Sequence, residues 1–408
     1  MTATHVDAAT GNLVAGGREI FPLGLSDPPP FASTAPESGR PAFAELAAAG
    51  VTFVRNYTVW REAAAAEQLA AVVQELDAAS AHGLQVWLAL AGVDDDLSRV
   101  ALLDRVVDAV KAHPGLGAWK GADEPAHSRL PVPGLVAVYD HVRARDPDHP
   151  FAIIEAPRDP PPAPGAPDRP LTVTAVRQYA AACDVHGVDI YPIPPGLHAG
   201  GPPTNTDISV VGDVTRILAA ATQRRAIWTT LQIAWSGVLP PEHRLVFPTL
   251  QQARFMAYDA IVAGARGLFW FGGHLPGAMN ARDRALGWNW TYWERVQRTL
   301  LEELSGPLHR RALVAPSSPI HVTPDAADVA VTVREDADAV YVVAVRRSAN
   351  ATGLVHFRGL PAGVSAGTVL AHGPGNPARE VSVAGGAFTD PSPYEPHNAR
   401  VYRFARAG

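Results

Sequence analysis

The chain has 408 residues, a formal net charge of −6 and one cysteine, Cys183. That length suffices for one large unit of about 250 to 300 residues plus a smaller one. The mild acidity argues against nucleic acid or an anionic membrane as partner, and the lone thiol excludes an internal disulfide.

Met1 to Gly17 carry no basic stretch followed by an apolar one, and no apolar run is long enough to span a bilayer. A cytoplasmic protein is therefore expected, although one trimmed of a secretory leader would read the same. After this polar start, Glu19 to Leu25 reads as a strand ending in the stiff Ser26-Asp27-Pro28-Pro29-Pro30. Ala42 to Gly50 is a helix with a glycine stop, and Val51 to Tyr57 is the next strand. The same step recurs. Helix Ala63 to Ala81 leads to strand Leu84 to Leu90, and helix Leu97 to Ala112 to strand Gly117 to Ala122. Helix Leu135 to Arg145 leads to Phe151 to Glu155, Thr174 to Ala182 to Val185 to Tyr191, Val211 to Thr222 to Ala226 to Gln232, and Leu250 to Ala263 to Gly267 to Gly272. The proline-rich segment from Pro157 to Pro170 reads as a surface loop.

Strand starts roughly 30 to 40 residues apart predict parallel strands joined by crossover helices. Eight such units close a (β/α)8 barrel. An open doubly wound sheet would show a glycine-rich phosphate turn after its first strand, and none is present. Trp288 to Leu304 supplies the last helix. Beyond about residue 316 the period changes to that of short strands: Val329 to Val333, Ala339 to Val345, Leu354 to Phe357, Ala378 to Val383 and Arg400 to Phe404. The predicted division is a barrel over 1–315 and a small antiparallel β-sandwich over 316–408. Asn350-Ala351-Thr352 matches a glycosylation sequon by chance frequency and receives no role.

Barrel chemistry sits at the C-terminal ends of the strands, so chain order supplies a list of rim residues. It comprises Ser26 and Asp27; Arg55, Asn56, Tyr57 and Trp60; Asp123, Glu124 and His127; Glu155; Asp189 and Tyr191; Gln232 and Trp235; and Trp270 and His274. Carboxylates among aromatic and amide side chains suit sugars, because flat rings stack on C–H faces and two carboxyl groups perform proton and nucleophile work. A carbohydrate substrate follows, with no cofactor and no metal. The oligomeric state stays open. His186 lies near Asp184 and Asp189, but no His-Glu-x-x-His motif accompanies it, and a core or surface histidine is the expected reading.

Gly117 to Ala122 followed by Asp123-Glu124-Pro125 resembles the strand-four motif of glycoside hydrolases of the clan A type. Asp189-Ile190-Tyr191-Pro192 is similar to the corresponding strand-six end, and Phe388-Thr389-Asp390 with Arg400 to Phe404 resembles the closing strands of the sandwich often appended to those barrels. The resemblance implies a glycosidase with Glu124 as acid. It also implies a nucleophilic glutamate at the end of strand seven, where this chain has Gln232, and an amide cannot form the glycosyl ester. Three alternatives answer that departure. Asp189 is the second carboxylate, which with Glu124 as acid gives an inverting pair; Glu155 takes that role; or the protein is a pseudoenzyme that binds sugar without cleaving it.

Overall fold

The computed structural model describes residues 3–159, 169–194, 205–222, 226–234, 247–371 and 376–406. Eight parallel strands form a closed barrel: β1 (Leu23–Leu25), β2 (Phe53–Asn56), β3 (Gln85–Ala89), β4 (Leu116–Asp123), β5 (Phe151–Glu155), β6 (Val185–Asp189), β7 (Ala226–Gln232) and β8 (Gly267–Phe271). They follow one another in sequence order around the barrel, and β8 pairs with β1 through Leu268↔Leu23 to Trp270↔Leu25. β3 and β7 are buried at every residue, the pattern of strands covered by helices on one side and barrel filling on the other.

The filling is aromatic. Trp87, Trp228 and Phe269 pack with ring centroids 4.8 to 5.4 Å apart, and Phe53 stands 5.9 Å from Trp228. Small residues on the intervening strands make room: a Cβ on Gly24 would lie 2.3 Å from the Phe269 ring, and one on Gly117 2.5 Å from Phe53. These rings form a solid floor beneath the C-terminal mouth, so any substrate must bind on top of it.

The opposite end is plugged by the segment that reads as a polar leader. Thr4–Val6, Leu13–Ala15 and Arg18–Ile20 form a three-stranded antiparallel meander, with Val6, Leu13 and Ile20 packed on the aromatic filling. The predicted strand from Glu19 to Leu25 is thus two strands, divided at Phe21-Pro22, where proline has no N–H to continue a ladder. The proline-rich segment is a loop only in part. Arg158–Asp159 pairs with Arg169–Pro170, and the residues between lie outside the described ones.

The C-terminal part is an antiparallel sheet of eight strands, where periodicity predicted five. Thr323–Pro324, Ala366–Val369 and Ala387–Thr389 are too short to carry a recognisable alternation. Ala339–Arg346 is buried throughout because both its faces are covered. Val340, Val342 and Ala344 face Phe357, Phe388, Tyr402 and Phe404, whereas Tyr341, Val343 and Val345 join the core of the barrel helices. Polar ties reinforce this shared core. Arg254 donates to Ala399 O at 2.6 Å while ion-paired to Glu303 at 2.9 Å, and Arg347 bridges Asp213 at 2.7 Å and Asp259 at 3.1 Å.

Candidate active site

β4 carries the centre of the mouth. Its pairing slips twice, once against β3 opposite Val86 and Trp87, and again against β5 between Lys120 and Asp123. Such bulges turn a strand end away from the regular pleat. Glu124 follows with φ 48° and ψ 48°, a left-handed conformation that costs a non-glycine residue about 1–2 kcal/mol. Its N–H donates to Ile154 O at 2.6 Å, and Pro125, with no N–H to satisfy, starts the one-turn helix Pro125–Ser128. The bend leaves the Glu124 side chain about one-third exposed, with His127 Nδ1 3.8 Å from its Oε2.

The neighbouring acid is treated differently. Lys120, buried within β4, points its ammonium at Gly121 O (2.7 Å), Ala122 O (3.0 Å) and Asp123 Oδ1 (2.8 Å). Arg55 Nη2 stands 3.8 Å from the same oxygen, with its guanidinium 3.7 Å from the Tyr57 ring centroid and 5.4 Å from that of Trp87. Burial pushes the Asp123 carboxyl up, but Lys120 and Arg55 outweigh it and hold the group below the ordinary range. Asp123 is therefore a fixed negative charge.

Glu124 and Asp189 go the other way. Burial and the Asp123 charge raise Glu124. Burial, then the charges of Glu124 and Asp123, raise Asp189 well above an ordinary carboxyl. The Glu124 charge thus opposes ionisation of Asp189, and both carboxyls hold a proton more tightly than ordinary ones. Asp189 Oδ2 accepts from Tyr191 OH at 3.1 Å, and the Tyr191 ring stacks on Phe271 at 5.2 Å and 18°. Asp27 closes the far side, with Oδ1 3.3 Å from His274 Nδ1 and its backbone carbonyl accepting from Trp288 Nε1 at 2.7 Å. Among the described residues Asp27 Oδ2, Asp189 Oδ1, Ser26 Oγ, Arg55 Nε and Thr230 Oγ1 are buried without a hydrogen-bond partner. Polar atoms left unpaired at the ends of β1, β2, β6 and β7 suit a ligand rich in hydroxyl groups.

The mouth thus gathers Asp27, Arg55, Tyr57, Asp123, Glu124, Asp189, Tyr191 and His274 from the predicted rim. Other predicted residues turn away from it. Trp60 is wholly buried and donates to Ala89 O at 2.8 Å, and Trp270 is wholly buried within β8. Asn56 donates to Glu75 Oε2 at 2.5 Å and accepts from Thr58 N at 2.8 Å. Glu155 is wholly buried, with Oε1 3.0 Å from His186 Nε2 and Oε2 accepting from Ala126 N at 3.1 Å. Gln232 is wholly buried and spends both ends of its amide on one residue, accepting from Ile193 N at 2.8 Å and donating to Ile193 O at 2.6 Å. Their place on the rim follows from chain order, but burial or internal hydrogen bonds engage these side chains within the protein. Trp235 lies outside the described residues.

Two members of the site escape the rim list. Lys120 is one, and its signal is a cation inside an otherwise apolar strand. Asp94, after β3, is the other: burial raises its carboxyl to about 6 against the opposing pull of Lys120.

Asp189→Asn is expected to raise thermal stability near neutral pH. A carboxyl whose folded pKa is raised holds its proton more tightly in the folded chain, so ionisation disfavours folding as pH climbs from about 4 to the folded value. Each displaced unit corresponds to about 1.4 kcal/mol. Melting curves from pH 3 to 8 check this: the gain should vanish below about pH 4 and grow above it, and an unchanged or lowered melting temperature at pH 7 would contradict the burial of that charge.

No family model matches the sequence, and no curated protein matches it. Solved structures do match in fold. A glycoside hydrolase superposes with a TM-score of 0.67 at 10% identity, covering 100% of this chain and 97% of its own. A GH30 endoxylanase from Clostridium papyrosolvens C71 gives 0.54 at 11% identity, covering 99% and 100%. An alpha-amylase from Geobacillus thermoleovorans, complexed with acarbose, gives 0.56 at 11% identity, covering 90% and 91%. The chain has the barrel-plus-sheet architecture of these glycoside hydrolases.

Proposed function

We propose that the protein is a glycosidase that hydrolyses an O-glycosidic bond of an oligo- or polysaccharide, with Glu124 as general acid and Asp189 as general base. The observation that carries the reading is the placement of two carboxyls at the mouth, Glu124 partly exposed after β4 and Asp189 ending β6 with Oδ1 unpaired among the described residues, both raised above the ordinary range. The barrel-plus-sheet fold shared with glycoside hydrolases supports the substrate class.

Both carboxyls are raised in the free site, and the cycle starts with one proton shared between them. A sugar laid over the mouth covers the exposed part of Glu124 and strengthens its hold on a proton. A hydroxyl or water donating to the unpaired Asp189 Oδ1 weakens the hold there. The proton then passes to Glu124, which gives it to the glycosidic oxygen as the C–O bond breaks. Water attacks the anomeric carbon, and Asp189 takes the proton the water releases. The pair ends each turnover with the one proton it began with. The carboxyls stand on β4 and β6 with β5 between them, which supports a gap that admits a water and hence inversion. The commitment of Gln232 to Ile193 supports the same choice, since both ends of that amide are already bonded.

The test is a screen of wild type and Glu124→Gln against chromogenic glycosides and plant, bacterial and fungal oligosaccharides. Hydrolysis by the wild type that the variant loses supports the reading, and proton NMR of the first-formed anomer reports inversion or retention. Cleavage by neither protein, or equally by both, overturns it. Calorimetric sugar binding without turnover would point instead to the pseudoenzyme reading.

A further inference from the structure

Glu155 is wholly buried, and both of its carboxylate oxygens are engaged within the protein. We infer that it is the positioning residue that fixes Glu124 against Asp189; this rests on the glycosidase reading above. Glu155 ends β5, the strand between the two that carry the reacting pair. Its Oε2 accepts the N–H of Ala126, and its Oε1 meets Nε2 of His186 on β6. One carboxylate thereby ties the turn that carries Glu124 to the strand that carries Asp189.

The position of Ala126 explains why that tie matters. Glu124 is left-handed, a conformation that persists only where neighbours over-determine it. Pro125 has no N–H, so the available backbone donors across the bend are those of Glu124 and Ala126. The first is taken by Ile154 O and the second by the Glu155 side chain, consecutive residues of β5. Without the second anchor, residues 124–126 lose one of the two N–H bonds that hold them to β5, which loosens Glu124.

His186 is itself wholly buried, and its Nδ1 has no partner among the described residues. Its ring is therefore held through Nε2 by Glu155. Because His186 and Asp189 belong to the same short strand, the brace sets the separation of the two carboxyls and not merely the direction of one.

Leaving-group dependence separates this positioning role from a plain structural one. A glycoside with a poor leaving group needs the proton from Glu124, whereas a 2,4-dinitrophenyl glycoside departs almost without it. Glu155→Ala is expected to lower kcat on a phenyl glycoside about 10- to 100-fold, as misplacement of a reacting group by an ångström does. KM should change less than about threefold and 2,4-dinitrophenyl turnover should barely change. Glu155→Gln, which keeps an acceptor for Ala126 N–H, should recover most of the loss. Equal loss on both substrates, or no rescue by glutamine, would overturn the inference. Hydrogen exchange of the peptide spanning residues 122–130 tests the brace without any activity. Faster exchange in Glu155→Ala than in wild type and Glu155→Gln supports it, and unchanged exchange overturns it. If the wild type cleaves no glycoside while exchange responds as expected, the glycosidase reading has failed and the brace stands.

Discussion

Glu124→Gln is expected to lower kcat about 100- to 10,000-fold on glycosides with poor leaving groups, the range ascribed to a positioned general acid. The amide can still accept a hydrogen bond from a bound sugar, so KM should move little. The loss belongs to the transition state and not to binding. On a 2,4-dinitrophenyl glycoside the deficit should shrink sharply, because that leaving group departs without a proton. The pH dependence gives an independent check. In the wild type the pair carries one proton, so kcat/KM should be bell-shaped, falling at low pH as the second proton goes on and at high pH as the last one leaves. In the variant the alkaline limb should disappear, since the residue that must stay protonated is gone. The acidic limb should remain, because Asp189 must still lose its proton to act as the base. A profile unchanged in both limbs would remove Glu124 from the chemistry.

That Glu124 stands at the C-terminal end of a barrel strand is legible in the chain. An apolar strand that runs into Asp123-Glu124 and stops at Pro125 announces charge at a rim, and the repeated helix-to-strand step says which rim. The alternation itself was plain because glycine stops and proline loops punctuate it. What periodicity does not carry is depth. Glu155 and Gln232 end their strands as Asp189 does, yet a carboxylate and an amide that meet backbone N–H or C=O groups nearby are drawn inward to satisfy them, whereas Asp189 keeps an unpaired oxygen. Those partners, Ala126 and Ile193, come from neighbouring turns whose geometry depends on bulges and register. Lys120 was hidden for a related reason. The slip against β5 falls between Lys120 and Asp123, the stretch whose carbonyls and carboxylate its ammonium meets. The short strands of the C-terminal sheet, some of two or three residues, leave no pattern for a period-two reading to catch.

Gln232→Glu restores on paper the glutamate that the resemblance asks for at the end of strand seven, and its expected result is an unstable, no more active protein. The amide nitrogen of Gln232 now donates to Ile193 O at 2.6 Å while its oxygen accepts from Ile193 N. A glutamate keeps the second bond but turns an oxygen toward that carbonyl in a site with no exposure. Leaving such a buried contact unsatisfied costs about 1–3 kcal/mol, and more once the carboxyl is charged. The new group therefore takes a folded pKa well above its unfolded value of about 4.3, holding a proton that it can donate to Ile193 O. The sign of the pH effect follows. The deficit against wild type is smallest below about pH 4, where the carboxyl is protonated folded or unfolded, and widens as pH rises toward the folded value. Thermal melts across pH 3 to 8 read this directly, and a 2-fluoro glycoside with mass spectrometry reads the chemistry. Unchanged stability together with a trapped glycosyl ester on residue 232 would make β7 the nucleophile's strand and end the case for Asp189. A pH-dependent loss of stability with no adduct would mean that Gln232 is there to hold Ile193 next to Tyr191, and so to keep in place the phenol that donates to Asp189.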